Sequence, residues 1–213
     1  MLALLLRGFG TTLEIFILTL LGSLPLGLLV MFARRSRIAV LRQFTKLFIS
    51  VMRGTPLMLQ LMVVFYAPFQ LFEFTPAGNW RFTAVIVGFI INYSAYFAEI
   101  YRAGYESIPA GQFEAAQVLG YTGAQSFTRI IFPQMVRRTL PPVTNEVITL
   151  VKDTSLASVI GTVEMFTRAK QIVASPNTPG MLALAAAGLF YYVFNYLVAV
   201  VMERCERSLA YYR

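Results

Sequence analysis

The sequence predicts an all-α protein that lies in a membrane and crosses it about five times. Composition is the first reason: hydrophobic residues make up 57% of the 213 and charged ones 13%, against about 25% charged in ordinary soluble domains. A soluble fold of this length has too little polar surface to cover so much apolar side chain, including 18 Phe, and there is no His. The second reason is the set of long apolar runs, since a helical span needs roughly 20 mostly apolar residues. The third is the placement of Lys and Arg beside those runs rather than on a polar domain.

Spans are expected at about 10–33, 47–72, 82–101, 141–163 and 181–202. The first is too long, and too poorly followed by small residues, to be a cleaved signal peptide, so it counts as structure. The second is apolar apart from Arg53 near its start, and the fourth is the weak one, because it carries Glu146, Lys152 and Asp153. Pro25 and Gly27 interrupt the first span, Pro56 the second and Gly88 the third. Such positions free backbone carbonyls that neighbours must satisfy, whether they serve moving helices or only shape static packing. Tyr191, Tyr192 and Tyr196 on the last span suit packing faces or the interface belt.

Orientation follows from the basic residues. Arg34, Arg35, Arg37, Arg42 and Lys46 fill the first loop, Arg102, Arg129, Arg137 and Arg138 surround the third, and Arg204, Arg207 and Arg213 end the chain. Those twelve fall on one side, against Arg7, Arg81, Arg168 and Lys170 on the other. The richer side is expected to be cytoplasmic, which puts the amino terminus outside and the carboxyl terminus inside. The net charge of +8 therefore reads as a topology signal, not as a nucleic-acid surface.

The loop at about 104–138 has its own character. From Glu114 to Pro133 it reads EAAQVLGYTGAQSFTRIIFP, and Glu114, Gln117, Gln125 and Arg129 would each need a partner in hydrocarbon, so it does not cross. Two short amphipathic helices are expected, parted near Gly120-Tyr121-Thr122-Gly123, with Pro133 stopping the second. That shape suits a plug offered to a partner's groove; the plain alternative is an ordinary amphipathic loop. Charge counting places it in the cytoplasm.

Several classes of chemistry are excluded. No GxxxxGK[ST] pattern occurs, so the chain holds no P-loop. Without His there is no Ser-His-Asp or Cys-His arrangement and no His-based metal site. Cys205 stands alone, so it forms no intrachain disulfide.

Polar residues inside the spans are the candidate functional positions, because a charge at a helix centre costs about 2.5–3.5 kcal/mol on insertion scales. Thr149 and Glu146 lie at i−4 and i−7 from Asp153 and share its helical face, while Lys152 projects about 100° away. Asp153, with Thr149, Glu146 and nearby Ser155, either lines a polar cavity or forms an interhelical ion pair that fixes packing. Asn92, Tyr96 and Glu99, at i, i+4 and i+7, make a second stripe. The Asn92 amide both donates and accepts, which suits the zwitterionic end of an amino acid, and equally suits an interhelical hydrogen bond. Glu99 is read as a structural partner of Arg53 or Arg102.

The spacing of Glu114-Ala115-Ala116, Gly120, Ile130 and Pro133 resembles the cytoplasmic coupling loop of binding-protein-dependent ABC importer permeases. Phe132 departs from it, standing where Leu is usual. Arg53-Gly54-Thr55-Pro56-Leu57 with Gln60 and Leu61, Leu140-Pro141-Pro142, Asn145-Glu146 and Lys152-Asp153-Thr154-Ser155-Leu156 are similar to signatures of the polar amino acid permeases. The likeness runs from Thr11-Thr12-Leu13 to Glu203-Arg204. It implies a type I ABC importer-like permease domain over 1–213, multi-pass in a prokaryotic cytoplasmic membrane and surrounded by its lipid. It implies ATPase coupling through Glu114, Ala115, Ala116, Gly120, Ile130 and Pro133. Two ATP-binding subunits carrying ATP and Mg, a second permease copy or close paralogue, an extracytoplasmic solute-binding protein or domain, and a polar amino acid substrate complete the expected partners. No cofactor on this chain and no nucleic acid are expected. A small ion channel or secondary transporter using Asp153 and Glu146 is the rival reading, and the particular amino acid stays open.

Overall fold

The computed structural model describes residues 1–71, 73, 78–176 and 180–209, and among them every regular element is helical. Helix α1 (Leu2–Arg34) has 33 residues, about 50 Å of helix. Its buried face is built from small residues at helical spacing, Gly8, Thr12, Thr19, Ser23 and Gly27, with Ile15 between them. That face lets α1 approach α4 (Trp80–Glu106) more extensively than any other pair of helices packs. At Gly27 a methyl group would stand 2.7 Å from Cβ of Phe97, so the crossing requires glycine there.

The second apolar run, expected over about 47–72, divides at Thr55-Pro56; its last residue, Phe72, lies outside the described residues. Helix α2 (Ala39–Gly54) and helix α3 (Leu57–Leu71) meet at a bend of 113°. Pro56 has no N–H and drives the residue before it out of helical geometry, and Thr55 is extended at φ −123°, ψ 151°. The carbonyls freed by the break are repaid locally. Gln60 Nε2 donates to Met52 O at 2.9 Å and to Thr55 O at 3.1 Å, Thr55 Oγ1 donates to Val51 O at 2.8 Å, and Asn92 Nδ2 of α4 donates to Met52 O at 3.1 Å.

Helix α4 forms the centre, with Phe89, Tyr93 and Phe97 fully buried among α1, α3 and α7. Beyond it come α5 (Ala110–Val118) and α6 (Gly123–Ser126), a π turn (Phe127–Ile131), and α7 (Phe132–Asp153). Pro133 does not stop a helix, contrary to the sequence expectation. It sits in the first turn of α7, where its missing N–H is tolerated, and the π turn before it takes up the register change. A 3₁₀ segment (Thr154–Ile160) follows and ends at Gly161, whose φ is +76°. Helices α8 (Met165–Ala174) and α9 (Gly180–Leu209) complete the chain.

Helices α1, α4 and α9 are each long and apolar enough to cross a membrane, and α2 and α3 pass the same test only together, as a bent pair that forms either a broken crossing or a re-entrant loop. Helix α7 has 22 residues but carries Arg137, Arg138, Glu146, Lys152 and Asp153. It buries Thr139, Val143, Val147 and Leu150 and packs against α4 and α9, so neighbouring protein shields much of it.

Candidate functional site

Two features stand at one end of α4: an exposed helical elbow and a charged cavity. The elbow is α5 and α6. Helix α5 ends at Gly120, φ +74°, with Tyr121 N–H bonded to Ala116 O at 3.0 Å and Gly120 N–H to Gln117 O at 2.9 Å. This is a Schellman ending, which glycine adopts without strain. Helix α6 opens with a capping box, Thr122 N–H to Gln125 Oε1 at 2.9 Å and Gln125 N–H to Thr122 Oγ1 at 3.3 Å. Local chemistry thus shapes the elbow on both sides of the turn.

One face of the elbow is fastened to the helical body. Phe113 and Phe127 pack on Tyr105 at centroid distances of 5.4 and 6.5 Å, and Phe127 meets Phe32 of α1 at 5.0 Å. The Arg35 guanidinium lies 3.8 Å over the Tyr105 ring and pairs with Glu106 at 3.5 Å. Ile131 is buried with Met31, Ile49 and Ala98, and Ile130 packs against that cluster. The other face is open. Glu114, Ala115, Gly120 and Pro133 are exposed, whereas Ala116 is buried. Val118 and Leu119 are 88% and 70% exposed, an apolar knob at the tip. Sequence reasoning passed over these two, although an apolar pair directly before the turn glycine was the available signal.

The cavity, about 430 Å³, lies between α4 and α7 with Arg53 of α2 at its wall, and Tyr96, Glu99, Arg102, Arg138 and Glu146 also line it. Glu99 is held by Arg102, whose Nη2 lies 2.7 Å from Oε2 and whose Nη1 reaches Glu106 at 2.6 Å. Arg138 Nη1 donates to Ser107 O at 2.6 Å. Arg53 lies 5.4 Å over the Tyr96 ring. Among the described residues, neither Arg53 nor Glu146 is in a contact ion pair. Among the described residues the cavity therefore presents two guanidinium groups, of Arg53 and Arg138, and one carboxylate, of Glu146, that are not neutralised by a contact ion pair.

The candidate positions separate into groups. Tyr96 and Glu146 meet in the cavity. Asp153 lies seven residues further along α7, about 10 Å, and its Oδ2 accepts from Tyr93 Oη at 2.8 Å. Thr149 is half-buried between them on the same helix. Ser155 Oγ, in the 3₁₀ segment, donates back to Lys152 O of α7 at 2.8 Å. Asn92 is buried and its Nδ2 donates to Met52 O and to Gln60 Oε1 at 2.9 Å, so both amide hydrogens serve the α2–α3 break. Glu99 takes Arg102 rather than Arg53. Arg138, read from sequence only as a topology signal, is a cavity residue. Among the described residues no group of His, Cys, Asp or Glu is placed to hold a metal ion.

Residues 5–211 match the family described as binding-protein-dependent transport system inner membrane component. The chain belongs to that family. It is 35% identical over 205 residues to the L-cystine transport system permease protein TcyB of Bacillus subtilis (strain 168), covering 96% of this chain and 86% of that protein. It is also 35% identical over 206 residues to the glutamine transport system permease protein GlnP of Escherichia coli (strain K12), covering 97% and 93%. A crystal structure of an amino acid ABC transporter with histidines superposes with a TM-score of 0.85 at 31% identity, over 97% of this chain and 94% of that one. An inward-facing methionine ABC transporter, MetNI, shares the fold at 19% identity, with a TM-score of 0.78 over 99% and 98% of the two chains. The chain is thus a permease component of a binding-protein-dependent transport system, as its sequence led us to expect, and the relatives named here are permeases for amino acids.

Proposed function

We propose that this permease forms half of the translocation path of an ATP-driven importer of polar amino acids, and that a second copy or a close paralogue supplies the other half. The observation that carries this reading is the cavity between α4 and α7, where Arg53 and Glu146 face one space without a contact ion pair. A free amino acid brings a carboxylate for the one and an ammonium for the other, and Tyr96 adds a ring face and a hydroxyl. Charge-assisted bonds of this kind are roughly twice as strong as neutral ones. Thr149 lies next along the α7 face toward Asp153, where the path would continue. Asn92, Asp153 and Ser155 support the walls in this reading, through their bonds to the α2–α3 break, to Tyr93 and to the end of α7.

The elbow is the power input. Two ATP-binding subunits, which carry ATP and Mg, dock on the exposed face of α5 and α6, with Val118 and Leu119 as the apolar contact and Glu114, Ala115 and Gly120 around it. Closure of those subunits draws the two elbows together. Because Phe113 and Phe127 grip Tyr105, and Arg35 and Glu106 tie α1 to α4, an elbow displacement is passed to the end of α4 that forms the cavity wall. Rigid-body movement of that wall switches access from one side to the other. The chain lies in five crossings, α1, α2–α3, α4, α7 with its 3₁₀ extension, and α9, with the elbow cytoplasmic and the amino terminus outside. An extracytoplasmic solute-binding protein or domain delivers the substrate.

The test is amino acid uptake into proteoliposomes holding the permease with its ATPase and binding protein. Arg53→Gln and Glu146→Gln should each reduce ATP-driven uptake about tenfold or more while the complex still assembles, as loss of one charge-assisted contact predicts. Wild-type uptake by both variants would remove the cavity from the path. Uptake by the permease alone without ATP would instead favour a secondary transporter or channel.

A further inference from the structure

The other end of α4, about 40 Å from the elbow, holds a second polar cavity of about 310 Å³. Three separate stretches of chain build it: Thr11 and Glu14 from α1, Asn79 and Arg81 from the start of α4, and Gly161 and Thr162 from the turn after the 3₁₀ segment. Glu14 and Arg81 are both exposed, face the same space and, among the described residues, make no contact ion pair with each other.

Thr162 forms part of the cavity wall. It is 5% exposed, its N–H is bonded to Ala157 O at 3.2 Å and its carbonyl accepts from Thr167 Oγ1 at 3.0 Å. Its own Oγ1 is buried and, among the described residues, has no hydrogen-bond partner. Because that oxygen has no accessible surface, it does not open into the cavity, and contact with a ligand falls to the charged side chains. The cavity wall is also preformed. Gly161 turns the chain at φ +76°, and the Arg81 guanidinium carbon lies 3.6 Å from where a Cβ would stand there. Among the described residues, Arg81 Nη1 makes a long 3.5 Å contact to Gly161 O and Arg81 is in no contact ion pair.

We propose that this cavity binds the zwitterionic head of a free amino acid, the carboxylate on Arg81 and the ammonium on Glu14. A lone anion satisfies Arg81 and a lone cation satisfies Glu14, but only a ligand with both charges uses both residues. The volume accommodates a small polar amino acid. The site is separate from the Arg53–Glu146 cavity and rests on the family's amino acid transport role, not on that cavity's place in the path.

The test is equilibrium binding of radiolabelled L-glutamine to the full-length permease in liposomes, in an Arg53→Gln/Glu146→Gln background that removes the charges of the first cavity. Saturable binding should remain. Arg81→Gln and Glu14→Gln should each weaken it about tenfold. Glutaramic acid, lacking the ammonium, and 4-aminobutanamide, lacking the carboxylate, should each compete at least about tenfold more weakly than L-glutamine. Binding that vanishes in the double-variant background overturns the proposal and leaves the first cavity as the site. Binding that ignores Arg81 and Glu14, or either analogue competing as well as glutamine, overturns it too.

Discussion

The phenol of Tyr93 donates a 2.8 Å hydrogen bond to Oδ2 of Asp153, joining the middle of α4 to the last residue of α7. Tyr93 is 2% exposed and packs in the central cluster with Phe89, Phe97 and Leu150. The bond ties two helices through a phenol, not through the ion pair that the sequence set against a polar cavity lining. Tyr93→Phe should therefore lower stability by about 1.5–3 kcal/mol, the usual worth of a hydrogen bond to a charged group, while uptake per folded molecule stays near wild type. Thermal unfolding and ATP-driven uptake measured on one preparation check this. A stable variant with lost uptake would return Asp153 to the path.

Asn92 offers a similar separation. Replacing it by Leu leaves Met52 O with one donor fewer at the α2–α3 break and Gln60 Oε1 without its Asn92 partner. Interhelical hydrogen bonds in membranes average about 0.6 kcal/mol each, so Asn92→Leu should cost roughly 1–2 kcal/mol in unfolding. The KM for the transported amino acid should not move. A raised KM in a fully folded variant would make Asn92 a substrate contact.

The elbow tip should tolerate no charge. Val118→Asp and Leu119→Asp remove the exposed apolar contact without touching the buried face of α5, so the permease should insert normally yet fail to retain its ATPase on co-purification. At Gly120 two causes can be told apart. Gly120→Asn should keep most coupling, because Asn tolerates left-handed backbone better than other residues, whereas Gly120→Asp adds a charge as well and should uncouple transport.

Sidedness is open to direct labelling. In a Cys205→Ser background, a cysteine at exposed Ala124 in the elbow and one at exposed Lys170 on α8 should react with a membrane-impermeant thiol reagent from opposite sides, Ala124→Cys only from the cytoplasm. Reaction from the same side would overturn the five-crossing arrangement.

Membrane residence, helical character and the shape of the elbow were all legible in the sequence, because each depends on residues close together along the chain. Composition sets the solvent, apolar runs set the helices, and the turn at Gly120 with the Thr122–Gln125 capping box needs only a few neighbours. Pro133 was misread by the same local logic, since a proline that ends one helix and one that begins the next look alike until the preceding turn is known. The destinations of the polar side chains inside the bundle were not legible. Asn92 and Tyr96 share a helical face, yet one serves Met52, forty residues earlier, and the other faces the cavity. Glu146 and Asp153 also share a face, yet one lies opposite Arg53 and the other takes Tyr93, sixty residues away. Helical periodicity specifies the side of a helix on which a group stands; the partner it meets there is set by crossing angles and by the 113° break at Pro56, which only the packed tertiary structure decides.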